Sequence, residues 1–572
     1  MTRFNQNSKQ KKMSYYHHAS SNTFLYKTVG QQFDETVDKY PEHECLVFKE
    51  ENKRCTYKTF QYEINRLAIS LLELKLNKCD CIGVWLPTTS ANVTLTFAAS
   101  KLGLIKVNIN PNNTASELLH CLNTTKCKCL VMQANVKSLN CINIIENILP
   151  ELARSKTGEE LNSQLIPTLK YVVVVDSTTS IKGAYLYENL INSNNGISEK
   201  LFNRQMSISP DHPLFIFFSS GTTGQPKAVV HTNFAVLNCV ANIYQHSGRF
   251  LSRLCVPVPI FHILGEVHGT LSIVIGPVCV IYPTYLPNTL ATMKAIEEEQ
   301  CTGIIGAAII YHDLIKHPLR NEFNLKSLEY CAIAGSPISK EFLETIENEL
   351  SIKYCTQAYG TTETAGYITN TIYAIDSNNQ RQRLESIGKC EKFLEIKLID
   401  DKDQIVPLGE KGELLMRGYK TMKGYWNDNE MTAKIITESK WLHTGDIAKM
   451  DEDGYLYFCG RKKEIIIRGG VNIYPLEIEK IIEEYPNILK AQVFGIPDER
   501  YGEIVCSMIV LKEEKTNINI NELKQFLSKH LAYFKIPKHI EVVDKFNTTA
   551  SLGKVQKSKL AKDMIKILKS KL

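Results

Sequence analysis

The feature that most constrains this chain of 572 residues is a string from Phe217 to Lys227 that reads FFSSGTTGQPK. Its aromatic start ends an apolar run typical of a buried strand, and a loop of glycines and hydroxyl-bearing residues follows. Backbone N–H groups in such a loop can approach an anion closely, and a lysine adds positive charge. The string therefore predicts a phosphate-binding loop, made by Ser219, Ser220, Gly221, Thr222, Thr223, Gly224 and Lys227.

This loop differs from the P-loop of nucleoside triphosphatases, in which Lys directly follows Gly and precedes Ser or Thr. Here Gln225 and Pro226 separate Gly224 from Lys227. A plain Ser/Thr/Gly surface loop would explain any four of these residues, but the complete string favours an anion site.

Further short motifs follow the loop in a fixed order. They are Tyr359-Gly360-Thr361-Thr362-Glu363, Thr444-Gly445-Asp446, Gly460-Arg461-Lys462-Lys463 and Gly553-Lys554. With the loop, they resemble the signature of the adenylate-forming superfamily, which includes acyl-CoA ligases, coumarate-CoA ligases, beetle luciferases and peptide-synthetase adenylation domains. The resemblance covers nearly the whole chain from Thr28 and is greatest to the medium-chain acyl-CoA synthetases. The strings that favour this branch are Arg468–Pro475, Ala334–Pro337 and Met422–Trp426.

The resemblance implies a two-step reaction that uses ATP, Mg²⁺ and CoA. A carboxylate attacks the α-phosphate of ATP and releases pyrophosphate, and the CoA thiol then displaces AMP. Two negative charges ~4 Å apart repel by about 4 kcal/mol at an effective dielectric constant of ~20, so both steps need fixed positive groups. By resemblance Lys554 contacts the substrate carboxylate and the nucleotide; by composition alone it could be one more lysine in a lysine-rich tail.

The resemblance also implies roles for the other motif residues. Glu363 is the expected magnesium ligand, and Thr362 is expected to hold the α-phosphate. Asp446 has the chemistry to accept hydrogen bonds from both ribose hydroxyls, with Arg461 adding a contact there. The residues expected around the adenine, the nucleotide and the acyl entrance are Gly335, Tyr359 and Gly360.

His262, in the string Pro259-Ile260-Phe261-His262, matches a family position near the acyl and pantetheine channels. A histidine packed in the core is the alternative interpretation. The sequence itself leaves these two open.

The hydrophobic pattern predicts an α/β fold with two folded parts. Helical stretches alternate with short apolar runs such as Cys129–Met132, which indicates layered α/β subdomains with largely parallel sheets. In the last part of the chain an apolar strand is predicted over 464–467, before a helix that Pro475 opens at its first turn. The predicted organisation is a flexible N-terminal tail over 1–27, a large adenylate-forming domain over 28–462 and a small, mobile α+β lid domain over 463–572. Because one site must serve two reactions, the family resemblance makes Lys463 the expected backbone hinge.

Charge and composition exclude other classes. Residues 1–33 hold five basic and no acidic residues, and residues 535–572 hold ten lysines against three acidic residues, so with a net charge of +6 the remaining body is acidic. An acidic body argues against a nucleic-acid-binding groove. The apolar runs are shorter than the ~20 residues that a transmembrane helix needs.

The 17 cysteines are an odd number in a long chain without a secretory signal, which argues against a disulfide framework. A reducing compartment is expected. The pairs Cys79/Cys81 and Cys127/Cys129 allow a metal-site interpretation, but buried apolar thiols are favoured because no second pair lies at zinc-finger spacing.

The chain ends in Ser570-Lys571-Leu572, which matches a peroxisomal address read by an import receptor. A basic, acid-free N-terminus partly resembles a mitochondrial presequence. The sequence therefore predicts a peroxisomal protein, with the mitochondrion as the alternative.

The predicted function is an ATP-dependent ligase that joins a fatty acid, of medium chain, to CoA. An aryl-acid ligase, a luciferase-like enzyme and a catalytically silent acyl-nucleotide-binding protein are the alternatives. The sequence departs from the family pattern at Ala228, where Gly is usual, at Asn233, where His is usual, and at Leu552, where Ser or Thr is usual. These departures concern pocket shape and rate rather than the reaction class.

Overall fold

A computed structural model describes residues 12–136, 139–175, 181–219, 226–335, 338–374, 385–468, 471–498, 500–513, 518–546 and 555–570. Its internal contacts divide the chain into two units. The large unit contains 17–395 and 416–442, and the small unit contains 396–415 and 443–572 with the residues before His17. This division places the predicted 462/463 boundary inside the small unit; the boundary itself stays a prediction.

The first sheet of the large unit has eight strands, with parallel pairing through its centre and antiparallel pairing at one end. Its central parallel strands are buried and mostly apolar, as expected for a sheet covered on both faces. In spatial order the strands are Tyr185–Leu186, Tyr171–Val174, Cys129–Met132, Cys81–Trp85, Ile105–Asn108, Pro213–Ser219, Lys227–Thr232 and Gly424–Tyr425.

The second sheet has nine strands and is parallel except at its two ends. In spatial order its strands are Lys389–Cys390, Gly366–Ala374, Tyr354–Thr361, Tyr330–Ala334, Gly303–Gly306, Arg253–Cys255, Cys279–Tyr282, Glu44–Phe48 and Lys53–Thr56. A separate two-stranded ribbon pairs Asn135–Val136 with Leu139–Asn140.

Helices connect these strands, and one of them, Ser90–Leu102, is buried along its whole length. It belongs to the core that both large sheets share, where Phe97 packs against Phe33 and Phe60. The α-helices of the large unit are Val29–Lys39, Tyr57–Glu73, Ser90–Leu102, Ala115–Thr125, Cys141–Ile148, Tyr187–Asn192, Glu199–Met206, Asn233–Ser247, Thr289–Glu299, Ala308–Lys316, Lys340–Leu350 and Asn429–Ile435.

The small unit is α+β. One sheet orders the strands Tyr15–His17, Leu394–Ile399, Lys411–Gly418, Leu442–Met450 and Leu456–Arg461. A second orders Val471–Ile473, Ile466–Arg468, Gly502–Leu511 and Ile488–Asp498, with His539–Val542 parallel to Gly502–Leu511. Its α-helices are Pro475–Glu483, Ile520–His530 and Lys557–Ser570. The sequence-based fold class, a layered α/β body followed by a smaller α+β part, is confirmed.

The predicted flexible tail over 1–27 stays a prediction, and residues of its described part, 12–27, make contacts with distant segments of the chain. Ser14 is fully buried, and its N–H donates to the carbonyl of Val406 at 2.8 Å. Farther along, the Leu25 N–H donates to Asn238 Oδ1 at 2.8 Å. Polar composition alone missed these contacts because each uses backbone groups or partners far along the chain.

A correction concerns the segment after Lys463, where the sequence predicted a strand over 464–467. The structure has a short 3₁₀ turn, Lys462–Glu464, before a strand at Ile466–Arg468. The predicted helix start at Pro475 agrees with the helix Pro475–Glu483, in which proline occupies the first turn.

The cysteines are free thiols, and burial raises the pKa of most of them; for Cys127 the value rises to about 12. Across the described ranges, no helix combines the length and apolar character needed to cross a membrane.

Candidate active site

Two strand ends meet at the predicted anion site. The strand Pro213–Ser219 belongs to the eight-stranded sheet, and the strand Tyr354–Thr361 belongs to the nine-stranded sheet. Both are parallel to neighbours on one side, so their carboxyl ends lie at the sheet edge where α/β proteins bind ligands. Ser219 and the turn that begins at Thr362 are therefore brought together.

Glu363 is the centre of this arrangement. Ser219 Oγ donates to Glu363 Oε1 at 3.0 Å, and the Tyr425 hydroxyl donates to the same oxygen at 3.2 Å. The Glu363 carbonyl accepts from the N–H of Met422 at 2.9 Å. Three segments distant in sequence thus fix the position of one half-buried carboxylate.

The oxygens around Glu363 are hard donors of the type that Mg²⁺ takes. Within the described ranges, no three His, Cys, Asp or Glu side chains lie close enough together to hold a metal ion by themselves. The arrangement fits a cation that takes one carboxylate and completes its coordination with water and phosphate oxygens.

Lys227 contacts the ring of Tyr425, the tyrosine whose hydroxyl donates to Glu363. Its Nζ lies 5.0 Å from the centre of the Tyr425 ring, within cation–π range. Burial and the neighbouring Glu363 carboxylate raise the pKa of the Tyr425 hydroxyl, so it remains a hydrogen-bond donor at neutral pH. The lysine of the predicted loop and the expected magnesium ligand therefore share one aromatic neighbour.

The turn that contains Thr362 and Glu363 is held by local and distant hydrogen bonds. The Thr361 N–H donates to Thr364 Oγ1 at 2.9 Å. His231 Nε2 lies 2.6 Å from the Thr362 carbonyl oxygen, so this ring nitrogen carries the proton. Burial lowers the pKa of His231 to about 4, and the imidazole is neutral at physiological pH.

Gly360 is required by close packing. A Cβ atom at this position would lie 1.9 Å from the Gly366 carbonyl oxygen, which leaves no room for any side chain. The neighbouring Tyr359 is half-buried and pairs with Thr369 across the ladder, just before a bulge. Gly335 follows the adjacent strand with φ of +88°, and the space beside its Cα is open.

His262 is half-buried and lies in the segment between the strand Arg253–Cys255 and a π-helical turn, Leu264–Gly269. Its ring packs on Phe261, with 4.2 Å between ring centres. Its carbonyl accepts from the N–H of Glu266 at 2.9 Å, which joins it to the turn. Whether it serves the acyl channel stays a prediction.

Asp446 and Arg461 are neighbours within the small unit. They are paired residues of the antiparallel strands Leu442–Met450 and Leu456–Arg461, and Arg461 Nε lies 3.5 Å from Asp446 Oδ1. The Asp446 side chain is 6% exposed and the Arg461 side chain 37% exposed. The predicted ribose-binding pair is thus preformed within one sheet.

The predicted hinge residue, Lys463, is exposed in the 3₁₀ turn Lys462–Glu464. The preceding residue is anchored, because Lys462 Nζ lies 2.8 Å from Glu413 Oε2. Burial opposes ionisation of Glu413, but hydrogen bonds from His443 and Lys462 lower its pKa.

Several predicted site residues lie outside the described residues. These are Ser220, Gly221, Thr222, Thr223 and Gly224 of the loop, Lys554, and the terminal Lys571 and Leu572. Their assigned roles stay predictions.

Sequence reasoning assigned no role to Tyr425 or His231. Gly424-Tyr425 pairs with Val229 and Val230 as an edge strand, which places the tyrosine beside Glu363. The available signal was an aromatic pair, Tyr425-Trp426, after a glycine. His231 gave no signal, because a histidine inside an apolar run looks like a core residue.

Comparison with protein families and with known proteins gives consistent matches. A family model described as AMP-binding enzyme matches residues 33–426, and one described as AMP-binding enzyme C-terminal domain matches 477–552. A mitochondrial medium-chain acyl-CoA ligase, ACSF2, of Danio rerio is 35% identical over 555 residues, covering 96% of this chain and 90% of that protein. Human ACSF2 is 32% identical, covering 94% of this chain and 88% of that protein.

Solved structures share the fold at lower identity. ATP-bound MatB from Rhodopseudomonas palustris matches with a TM-score of 0.81 at 19% identity, covering 95% of this chain and 100% of that chain. A fatty acyl CoA synthetase of Mycobacterium tuberculosis matches with a TM-score of 0.71 at 23% identity, covering 94% and 98%.

Proposed function

This chain belongs to the AMP-binding enzyme family, and from that premise we propose that it is an ATP-dependent ligase joining a medium-chain fatty acid to CoA. In the first step the acid carboxylate attacks the α-phosphate of ATP, and pyrophosphate leaves. In the second the CoA thiol attacks the acyl carbonyl, and AMP leaves. The observation that carries the proposal at the site is the meeting of Ser219 and Glu363 at adjoining strand ends.

Each step brings anions together, and the proposed residue roles follow from that need. Ser219 orients Glu363 through its hydroxyl, Thr362 and the loop N–H groups donate to phosphate oxygens, and Lys227 adds positive charge. Asp446 accepts from the ribose hydroxyls beside Arg461. The residues that would flank the base and the acyl entrance are Gly335, Tyr359, Gly360 and His262.

Glu363 is the residue that would hold Mg²⁺ when ATP is bound. The ion would neutralise charge on the phosphate oxygens. The chain's own contribution is to orient the carboxylate, because Ser219 and Tyr425 both donate to its Oε1.

Lys554 is proposed to place its ammonium between the acid carboxylate and the α-phosphate during the first step. Lys463 is proposed as the backbone pivot that brings this lysine in and withdraws it before thioester formation. Its exposed position in a short 3₁₀ turn between the strands Leu456–Arg461 and Ile466–Arg468 supports a pivot, since a change of backbone torsion angles there lies outside both strands.

The chain-length assignment is supported by the two ACSF2 relatives, which are medium-chain acyl-CoA ligases. Each buried methylene contributes only about 0.8 kcal/mol, so a few pocket side chains decide between medium-chain and aryl acids. The test is acid-dependent exchange of labelled pyrophosphate into ATP over a panel of both, followed by assay of the CoA thioester. Exchange without thioester would indicate a luciferase-like activity, and no exchange with any acid would favour a silent binding protein.

A second experiment tests the two-step scheme. We expect Lys554→Ala to lose adenylation and still convert a supplied acyl-adenylate to thioester. Lys559→Ala, which removes an exposed lysine of the last helix, is the matched control and should retain both steps. Loss of both steps in the Lys554 variant would contradict a lysine that acts in one step only.

Two locations are proposed for testing. The two ACSF2 relatives are mitochondrial proteins, which supports the mitochondrion; the peroxisome, expected from the tripeptide Ser570-Lys571-Leu572, is the location to be tested against it. Imaging full-length protein with and without Leu572 separates the two. Signal that leaves peroxisomes without Leu572 favours the tripeptide, and mitochondrial signal that does not change favours the relatives' location.

A further inference from the structure

A buried polar cluster lies in the large unit and has no role in the proposed chemistry. It consists of His268, Tyr367, Glu391 and Lys420, and we call it the His268 cluster. Exposed fractions are 4% for His268, 5% for Tyr367 and 3% for Glu391, and Lys420 is fully buried. Four separate chain segments supply these side chains, so their meeting is a product of the fold.

The contacts within the cluster are close. The His268 and Tyr367 rings stack with 3.9 Å between centres. Lys420 Nζ donates to the Tyr367 carbonyl at 2.6 Å and lies 3.8 Å from Glu391 Oε2. These contacts fix the side chains but use few of their polar atoms.

Five buried atoms of the cluster have no hydrogen-bond partner in the described part of the chain. They are both ring nitrogens of His268, the Tyr367 hydroxyl oxygen and both carboxylate oxygens of Glu391. A buried polar atom without a partner loses its hydration and gains nothing in return. Three adjacent side chains in this condition indicate a place that a polar group occupies.

The cluster borders the proposed acyl entrance. Tyr367 belongs to a small apolar group with Ala334 and Ala358, against which Ile243 and Leu264 pack. Ala334 directly precedes Gly335, where the space is open. Tyr367 of the cluster thus packs with Ala334, the residue next to the proposed acyl entrance at Gly335.

The cluster also adjoins the turn that contains Glu363. A Cβ atom at Gly366, three residues after Glu363, would lie 2.1 Å from His268 Nε2. His268 thus packs directly beneath the segment that follows the expected magnesium ligand. The cluster therefore lies next to both the proposed acyl entrance and the turn of the expected magnesium ligand.

The charges of the cluster restrict what the tail can bear. The Lys420 ammonium and the Glu391 carboxylate offset each other, and burial lowers the pKa of His268 to about 3, so its ring is neutral. A second carboxylate on the substrate would add an unpaired charge to a buried site, which is costly. A hydroxyl can donate to Glu391 and accept from Tyr367 or from the protonated ring nitrogen of His268.

We propose that the His268 cluster is a binding site for a neutral hydroxyl group on the tail of the acid, so that the enzyme prefers hydroxylated fatty acids to plain ones. This inference rests on the proposed ligase function and adds the substrate class. It follows from the stacked ring pair, the five unpartnered atoms and the balanced ion pair.

The first experiment compares plain acids with their ω-hydroxy and dicarboxylic counterparts, from hexanoic to dodecanoic, by CoA-thioester formation. At the best length we expect kcat/KM for the hydroxy acid to be about ten-fold higher than for the plain acid, as one to two hydrogen bonds provide. The dicarboxylic acid should be the poorest. Plain acids that match or exceed hydroxy acids at every length would overturn the inference and leave the ligase function standing; no activity with any acid would overturn both.

The second experiment removes the donors and acceptors individually. Tyr367→Phe takes away one hydroxyl, and His268→Leu takes away both ring nitrogens. Each should reduce the hydroxy-to-plain ratio of kcat/KM about three-fold to ten-fold while retaining turnover of plain acids, which reports that the variant is folded. Tyr311→Phe is the matched control, because its buried hydroxyl has carbonyl partners at Ile304 and Ala332. A ratio that stays constant in Tyr367→Phe and His268→Leu would mean that only water occupies the site.

Discussion

The large unit contains two buried lysine–glutamate pairs that differ in how fully their hydrogen bonds are made. In the first, Lys106 Nζ lies 3.0 Å from both oxygens of Glu266, and Thr96 bonds to both partners. In the second, Lys420 lies 3.8 Å from Glu391, neither oxygen of which has a hydrogen-bond partner in the described part of the chain. All four side chains are at most 1% exposed.

This difference in hydrogen bonding distinguishes a structural role for the Lys106–Glu266 pair from the proposed binding role of the Lys420–Glu391 pair. A buried ion pair is stable only when further hydrogen bonds satisfy its remaining polar atoms, and the Lys106–Glu266 pair meets this condition. The Lys420–Glu391 pair leaves hydrogen-bonding capacity for another group. Glu363 is intermediate, since its Oε1 accepts from two hydroxyls at the proposed ATP site.

The largest effect is expected at the Lys106–Glu266 pair, in which both carboxylate oxygens have hydrogen-bond partners. Lys106→Met leaves the Glu266 carboxylate buried without its charge partner, and we expect a loss of about 3–5 kcal/mol in the free energy of unfolding. Urea unfolding of the full chain measures it. The double variant Lys106→Met/Glu266→Leu should recover most of the loss, because it removes both charges.

Lys420→Met is the matched change at the Lys420–Glu391 pair, in which neither carboxylate oxygen has a hydrogen-bond partner in the described part of the chain. It removes one short hydrogen bond, to the Tyr367 carbonyl, and leaves the Glu391 carboxylate buried without its charge partner. We expect a smaller loss than for Lys106→Met, because Lys420 lies 3.8 Å from Glu391 and makes no hydrogen bond to it. Equal losses for the two variants would show that the pairs do not differ in the way the geometry indicates.

The next effect concerns pH. Burial lowers the pKa of His268 to about 3 from an unfolded value of about 6.5. Between pH 6.5 and 3, His268 is therefore protonated in the unfolded state and neutral in the folded state. The free energy of unfolding that is fully present above pH 6.5 decreases as the pH falls toward 3. The titratable and charged groups around this ring are Lys420, Tyr367 and Cys239, with Glu391 joined to it through Lys420.

In His268→Leu we expect the slope of unfolding free energy against pH, between pH 6.5 and 5, to decrease by up to about 1.4 kcal/mol per unit, which is the value of one proton. Urea unfolding at four pH values measures the slope. An unchanged slope would mean that the ring is protonated in the fold, which would contradict a neutral cluster.

A smaller effect is expected at Glu363, whose Oε1 accepts hydrogen bonds from two hydroxyls. Tyr425→Phe removes one of the two hydroxyls that orient Glu363, and we expect the KM for MgATP to rise about ten-fold, as loss of a hydrogen bond to a charged group provides. Pyrophosphate exchange at varied Mg²⁺ measures it. A fall in kcat with KM unchanged would instead indicate that the hydroxyl contacts the reacting groups.

The smallest effect is expected for an ion pair in water. Lys434 and Glu430 lie 2.7 Å apart on an exposed helix face, with exposed fractions of 59% and 83%. Solvent screens such pairs, and we expect Lys434→Ala to unfold at the same urea concentration as the unchanged protein. A measurable shift would imply a contact beyond this pair.

Much of the fold could be predicted from local patterns. The strand Cys129–Met132 was predicted with the bounds that the structure has, and the helix start at Pro475 likewise. Both depend on signals within a few residues, an apolar run and a proline. The strand Tyr15–His17 could not be predicted, because its stability comes from partners far along the chain.

The same division holds for the site. The motif residues Ser219 and Glu363 were found because each motif combines chemistry and spacing within one short string. Tyr425 lies in Met422–Trp426, one of the strings that resemble the family, but nothing local indicates that its hydroxyl donates to Glu363. The His268 cluster gave no sequence signal, because its four residues stand in four separate segments.

By itself the sequence determined the α/β alternation, the order of the anion-binding and nucleotide-binding motifs and, through them, the reaction class. These properties are encoded in periodicity and in side-chain types close together along the chain. Only the tertiary structure decided which buried carboxylates have hydrogen-bond partners and which lack them in the described part of the chain. Hydrogen bonds between distant segments form only when the core brings those segments together, so whether Glu266, Glu363 or Glu391 has partners depends on packing.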